Sequence, residues 1–133
     1  MTVWLDTNVV IRFLIGEPPD QAKRAQRLMR RAAAGELVVR LPTVVIAEAI
    51  WVLGSFYDGG RAAIAEAIRS LVLADGVSVD ELDVVLEALR LMEDANVAYV
   101  DAYLAASARR SGEPVASFDA GFRHLGVELV PLA

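Results

Sequence analysis

The sequence predicts one α/β domain, in which helices cover both faces of a short parallel sheet. Two observations predict this fold class. Short strand-forming segments alternate with longer segments of helical periodicity along the 133 residues, and the strand candidates are largely apolar rather than alternating. Alternating elements are typical of βαβ units, and apolar strands are typical of parallel sheets that are buried on both faces. Right-handed crossovers would make such a sheet doubly wound. No repeat, low-complexity tract or linker divides the chain, so we expect a single domain over residues 1–133.

Five short, largely apolar segments are predicted as strands. In chain order they lie at residues 2–5, 37–41, 77–79, 114–117 and 127–130. Asp6 directly follows the first strand and Asp119 follows the fourth. Sites in doubly wound sheets form at the carboxyl ends of strands, where the winding reverses. If the fourth strand lies beside the first, Asp6 and Asp119 meet at that point.

Between the strands, apolar residues recur at helical spacing. Gly16, Gly35 and Gly112 mark the ends of predicted helices. Asp20 and Asp80 are predicted to be N-caps of the helices that follow them. The predicted helices lie at residues 8–14, 20–34, 43–56, 61–74, 80–96 and 99–110, and a short helical turn is predicted at 121–125.

Composition limits the classes of protein that fit. The chain is 56% hydrophobic with a mean hydropathy of +0.43, so we expect exposed apolar patches and hence a partner chain or self-association; a high alanine content is the alternative explanation. The absence of cysteine excludes disulfides and thiolate metal sites. The N-terminus lacks the features of a signal peptide, and Glu48 interrupts the most apolar stretch, residues 41–57. We therefore expect a cytoplasmic protein without a membrane span.

The net charge of −5 argues mildly against a nucleic-acid partner, but the charge is segregated. A group of basic residues recurs on one face of the second predicted helix. This face could contact RNA or a partner protein, or it could be an ordinary solvated surface. Its members are Lys23, Arg24, Arg27, Arg30 and Arg31.

Four acids stand where acids are unexpected. Asp6 and Asp119 follow strands, whereas Glu48 and Asp101 are the only charged residues on apolar helical segments. A buried carboxylate without a partner is unfavourable, and no basic residue shares either helical stripe. A divalent cation would compensate. Oxygen ligands, with no cysteine and a single histidine (His124, interpreted as a surface or packing residue), favour Mg²⁺ or Mn²⁺ over zinc.

Each acid also has a structural alternative. Asp6 and Asp119 could cap the helical turns that follow them. Glu48 and Asp101 could be buried acids that accept hydrogen bonds from the backbone. A cluster of four such coincidences in one small domain is the less economical explanation.

The same residues resemble a known family. The segments 5–9 (LDTNV), 100–102 (VDA) and 115–119 (VASFD), together with the lone Glu48, are similar to the PIN domain and in particular to its VapC-type toxins. The resemblance covers essentially the whole chain. No single motif is specific, but the ordered set of four acids is more so. The chain departs from many relatives at Gly121, where they carry a further acid, and this puts a two-metal arrangement in doubt.

The resemblance implies an α/β/α sandwich and a Mg²⁺- or Mn²⁺-dependent endoribonuclease that hydrolyses RNA with a metal-activated water. It also implies a homodimer inhibited by a cognate antitoxin. The metal-binding and catalytic set would be Asp6, Glu48, Asp101 and Asp119. Thr7, Asn8 and Ser117 match positions around the site.

Other functions remain open. Haloacid-dehalogenase phosphatases also place an Asp after the first strand, but they need a second Asp where this chain has Asn8. They and response-regulator receivers also need a late lysine, whereas Lys23 is the only lysine here. A PIN nuclease that processes RNA without an antitoxin, and a catalytically inactive RNA- or protein-binding module, are the further alternatives.

Overall fold

The structure is a computed structural model that describes residues 1–132. The chain divides into two compact units, of which the first comprises Met1–Glu81 and the second begins at Leu82. The prediction of a single domain remains a prediction. No helix in the described part of the chain is both long and apolar enough to cross a lipid bilayer.

The first unit contains a three-stranded parallel sheet, which confirms the predicted α/β class. Its strands are β1 (Thr2–Trp4), β2 (Val38–Arg40) and β3 (Val77–Ser78), in the order β1-β2-β3. Val3 pairs with Val39, and Val39 pairs with Val77. Val39, on the central strand, is completely buried. This is the position that an apolar strand takes when both of its faces are covered.

Four helices belong to the first unit: α1 (Thr7–Ile15), α2 (Pro19–Ala33), α3 (Thr43–Leu53) and α4 (Gly60–Val72). Gly16 ends α1 in the left-handed conformation, with φ of 81°. The prediction that Asp20 caps α2 was wrong, because Pro18 occupies the N-cap position. Proline is favoured at the start of a helix because that position needs no N–H donor. Asp20 instead lies in the first turn of α2, where its negative charge interacts favourably with the helix dipole.

The second unit contains α5 (Leu82–Asp94), α6 (Tyr99–Ser111) and a 3-10 helix (Ala120–Leu125). The two long helices pack together, and Ala102, Ala105 and Ala106 of α6 are fully buried. An ion pair between Arg109 and Glu87 at 3.0 Å also joins the helices. Small side chains let the two backbones approach closely, so this pair of helices is the core of the unit.

The predicted cap of α5 was also wrong. The helix begins at Leu82, two residues after Asp80. The Asp80 carboxylate instead lies 3.5 Å from the Arg40 guanidinium at the end of β2. Arg40 also stacks over the ring of Trp4, 5.2 Å from the ring centroid. Asp80 therefore interacts with a residue that is distant in the sequence, and it does not cap α5 as the local pattern had predicted.

The two strands predicted near the C-terminus are much reduced. They form one isolated parallel bridge, between Val115 and Leu129. The Val115 N–H donates to the Glu128 carbonyl at 2.8 Å, and the Val130 N–H donates to the Val115 carbonyl at 2.9 Å. The segments are short and Pro114 has no N–H to donate, so the ladder does not extend. Within residues 1–132 the sheet has three strands, and the predicted extended fourth and fifth strands were wrong.

Candidate functional site

Asp6 lies between β1 and α1, as predicted. It occupies the N-cap position of α1 with an extended backbone, and its carbonyl accepts hydrogen bonds from the N–H groups of Val9 and Val10 at 3.0 and 3.3 Å. Its side chain makes no capping hydrogen bond. The carboxylate is exposed, and no hydrogen bond or ion pair to it occurs within residues 1–132. Asp6 is thus the N-cap residue of α1, as the capping alternative predicted, but its side chain does not cap the helix.

The end of β1 lies beside the end of β2. The Leu5 N–H donates to the Arg40 carbonyl at 2.9 Å, and two residues after Arg40 the chain enters α3 through Pro42 at its N-cap. Asp6 and the start of α3 consequently lie at the same carboxyl edge of the sheet, where sites form in α/β folds. Helices α1 and α3, which follow these strands, pack against each other.

Glu48 lies on the second turn of α3, and the expectation that it is buried was wrong. It is exposed, and its apolar neighbours Val44 and Trp51 are 73% and 84% exposed. The buried side of the helix is formed by Ile46 and Leu53. Because α3 is apolar around most of its circumference, its sequence could not indicate which side is covered. No partner of the Glu48 carboxylate lies in the described part of the chain.

Asp101 is the third residue of α6 and is half-buried. Ala98 at the N-cap has no side chain that could cap the helix, so the charge of Asp101 is the acidic contribution in the first turn and interacts favourably with the helix dipole. Among the described residues its carboxylate accepts no hydrogen bond. The alternative in which the backbone satisfies this acid was wrong.

Asp119 is the acid for which the capping alternative holds. It occupies the N-cap of the 3-10 helix, and its Oδ1 accepts a hydrogen bond from the Gly121 N–H at 2.8 Å. Its own N–H donates to the Ser117 Oγ at 3.0 Å. One carboxylate oxygen thus holds the turn, and the other, Oδ2, accepts no protein hydrogen bond in the described part of the chain.

The four acids are divided between the units, with Asp6 and Glu48 in the first and Asp101 and Asp119 in the second. Within residues 1–132 no three acidic or histidine side chains lie close enough together to hold a metal ion. The donor chemistry nevertheless fits Mg²⁺ or Mn²⁺, because the four groups supply only carboxylate oxygens and three of them have no partner among the described residues. His124 is exposed, in agreement with its interpretation as a surface residue.

The positions predicted around the acids differ in exposure. Thr7 is 7% exposed at the first position of α1, whereas Asn8 is exposed. Phe118 lies between Ser117 and Asp119 and is 94% exposed, which is unusual for so large an apolar side chain.

The predicted basic face of α2 is exposed throughout. Arg31 pairs with Glu36 at 3.0 Å, and Arg24 lies 4.0 Å from Asp20. Arg12 on α1 is not among the predicted site residues, although it faces α2 and lines a cleft with Arg24. The signal that could have found it is its spacing of four residues from Asn8, which places both on one side of α1.

A family model described as the PIN domain matches residues 3–128. The chain belongs to the PIN domain family. PIN domains are generally nucleases and usually use divalent metals. The match includes all four acids of this PIN domain and extends over both of its units. No curated protein matches the chain.

Proposed function

We propose that this PIN domain is a Mg²⁺- or Mn²⁺-dependent endoribonuclease and the toxin of a toxin–antitoxin pair. The observation that carries the nuclease proposal is that the carboxylates of Asp6, Glu48 and Asp101 are left unsatisfied by the described residues. Their carboxylates have no cationic or hydrogen-bonding partner in the described part of a chain that belongs to a nuclease family. Carboxylates that the protein leaves unsatisfied are available to a metal ion or its water ligands.

In this proposal Asp6, Glu48, Asp101 and Asp119 bind the metal and are the catalytic acids. Bound there, a divalent cation supplies charge neutralisation at the scissile phosphate and a water of lowered pKa. The chain itself positions the acids. The start of α1 holds the backbone of Asp6, and the first turn of α6 holds Asp101. Gly121 replaces a further acid, so the proposal requires only one ion.

The neighbouring polar residues have distinct roles in the proposal. The Ser117 Oγ accepts the Asp119 N–H at 3.0 Å and so fixes the turn that carries this acid. Thr7, the residue after Asp6, is buried at the start of α1 and so anchors the chain next to this acid. Asn8 is exposed, and its amide can donate to a phosphate oxygen of the substrate.

The test is a titration of Mg²⁺ and Mn²⁺ with the purified protein on a panel of structured tRNA, rRNA and mRNA fragments. We expect metal-dependent cleavage that a chelator abolishes. Asp6→Asn and Asp101→Asn should lose cleavage while both proteins stay folded, because neither carboxylate has a hydrogen-bonding or ionic partner among the described residues. Asp101→Asn should lower the stability by no more than about 1 kcal/mol, the contribution of its charge to the dipole of α6. Asp58→Asn, a change of the same charge at an exposed site, should cleave normally. Full cleavage by Asp6→Asn at saturating metal would contradict the mechanism.

The toxin role is supported by the exposed apolar side chains, which suit a chain that is covered by partners. Trp4, Trp51 and Phe118 are 69%, 84% and 94% exposed. We propose a homodimer that a small cognate antitoxin binds, acting in the cytoplasm where its RNA substrate would be found. Sedimentation velocity over a concentration series tests the dimer.

Expression in a bacterial host separates toxin from housekeeping nuclease. A toxin arrests growth, Asp6→Asn does not, and coexpression of a cognate antitoxin relieves the arrest. Cleavage without growth arrest would favour an RNA-processing PIN nuclease. Stable RNA binding without cleavage under any metal would favour an inactive binding module.

A further inference from the structure

A cleft of about 280 Å³ lies between α1 and α2 in the first unit. Its polar lining consists of Asn8, Arg12, Gln21 and Arg24, and Val9 and Leu28 contribute apolar surface. The four polar residues come from both helices. The cleft therefore depends on the packing of α1 against α2, and the linear order of the charges does not reveal it.

Positive charge in this cleft is nearly uncompensated. The Arg12 Nε donates to the Gln21 Oε1 at 2.9 Å, which uses one of the five N–H groups of the guanidinium. No carboxylate pairs with Arg12 within residues 1–132. Arg24 has only Asp20, at 4.0 Å, with side chains that are 67% and 88% exposed. An ion pair of this kind is screened by water and contributes little.

The Gln21 contact gives the cleft a defined geometry. By accepting from the Nε of Arg12, the exposed Gln21 side chain restricts the plane of the guanidinium and leaves its two terminal nitrogens available. A planar guanidinium held in this way suits the oxygens of a phosphate group, which it can bind through two parallel hydrogen bonds.

We propose that this cleft binds a phosphodiester group of the RNA substrate, with Arg12 and Arg24 as the phosphate-binding residues and Gln21 as a positioning residue for Arg12. This inference rests on the proposed nuclease function and extends it. Arg12 lies six residues along the chain from Asp6, or about 9 Å along the axis of α1. An RNA strand with one phosphate in the cleft therefore reaches the proposed metal-binding acid within a few nucleotides.

The proposal also distinguishes the cleft from the general basic face of α2. Arg27 is exposed on that face but does not line the cleft, and Arg30 lines a different cleft with Phe13 and Asp75. The chain carries a net charge of −5, so its overall field does not attract RNA and a local cationic site has to supply the affinity. Contacts of this type give affinity and register and do not read sequence.

The test measures binding and needs no turnover. Asp6→Asn protein without metal is titrated against a fluorescent short single-stranded RNA of mixed sequence, and anisotropy is followed over a series of salt concentrations. Arg12→Gln and Arg24→Gln should each lower the affinity and reduce the slope of log K against log salt by about 0.7, the value for one lost phosphate contact on single-stranded nucleic acid. Gln21→Ala should weaken binding without changing the net charge.

Two control variants make the result specific. Arg110→Gln removes the same charge from an exposed site at the end of α6 and should bind as the parent does, and Arg27→Gln should lose less than Arg12→Gln. Equal losses for Arg27→Gln and Arg12→Gln, or no loss at Arg12 and Arg24, would overturn the proposal. Binding of a polyglutamate peptide that needs Arg12 while RNA binding does not would also overturn it and would assign the cleft to an acidic protein segment.

This experiment separates the two levels of inference. If the wild-type protein cleaves no RNA but Arg12→Gln and Arg24→Gln lower RNA binding, the cleft proposal stands and the catalytic proposal fails. If the wild-type protein cleaves RNA and the two arginines make no difference to binding, the reverse holds. Thermal unfolding of each variant confirms that the measured protein is folded.

Discussion

The Oδ1 atom of Asp119 accepts a hydrogen bond from the Gly121 N–H at 2.8 Å, and a Cβ atom at position 121 would lie only 3.0 Å from the same oxygen. This is tighter than an ordinary contact, so with a side chain at 121 the Asp119 carboxylate would have to shift by a few tenths of an ångström. The resemblance to VapC-type toxins implies a further acid at position 121, where this chain has Gly121. The glycine therefore leaves room for the Asp119 carboxylate in its capping position.

Asp119 should have two roles that substitutions can separate, one in capping the 3-10 helix and one in metal binding. Asp119→Asn keeps an oxygen acceptor for the Gly121 N–H and should unfold as the wild type does, whereas Asp119→Ala loses the cap and should cost about 1 kcal/mol. If Asp119 also binds metal, both variants lose RNA cleavage. Urea unfolding and cleavage assays measure the two effects. Wild-type cleavage by Asp119→Asn would leave the residue with the cap alone.

Glu48 should contribute to metal binding without contributing to the core. Its carboxylate is exposed and has no partner in the described part of the chain, so Glu48→Gln should leave the metal-free unfolding temperature unchanged. Mn²⁺ at 100 times its Kd should stabilise the wild type by about 2.7 kcal/mol, and this gain should shrink in the variant. Asp58→Asn serves as the control. An undiminished gain in Glu48→Gln would exclude this residue from the metal site.

Gly76 should be the least replaceable of the glycines in the first unit. Its φ is 80°, and a Cβ there would run into the backbone carbonyl of Ala32 in α2. Gly76→Ala should therefore cost at least about 3 kcal/mol, from backbone strain and steric overlap together. Gly60 has φ of 67° but nothing within 4 Å of its would-be Cβ, and Gly60→Ala should show the strain alone. Equal unfolding free energies for the two variants would refute this explanation.

Two phenylalanines near the C-terminus should behave oppositely. Phe122 is 4% exposed and Phe118 is 94% exposed. Phe122→Ala should destabilise the protein by about 3–5 kcal/mol, whereas Phe118→Ala should change its stability by less than about 0.5 kcal/mol. Chemical unfolding measures both variants. A large loss of stability in Phe118→Ala in the monomeric protein would show that this side chain is covered.

The local pattern of residues was sufficient for most of the fold. Helical periodicity and composition predicted six helices to within a few residues. Gly16 and Gly112 end helices as expected, because both adopt positive φ. Short segments of β-branched, aromatic and other apolar residues predicted the three paired strands. Asp6 and Asp119 were placed correctly at the ends of a strand and of a bridge segment because their positions depend only on neighbouring residues.

Contacts between distant segments decided the rest. The burial of α3 could not be read from its composition, since almost every side of that helix is apolar, and Glu48 proved to be exposed. Asp80 does not cap α5 and instead interacts with Arg40, which is forty positions away in the chain. Arg12 and Arg24 form one cleft only because α1 packs on α2. The local sequence sets the backbone preference of each segment. The free energy of packing between elements determines which side of an element is buried and which charged groups lie beside it.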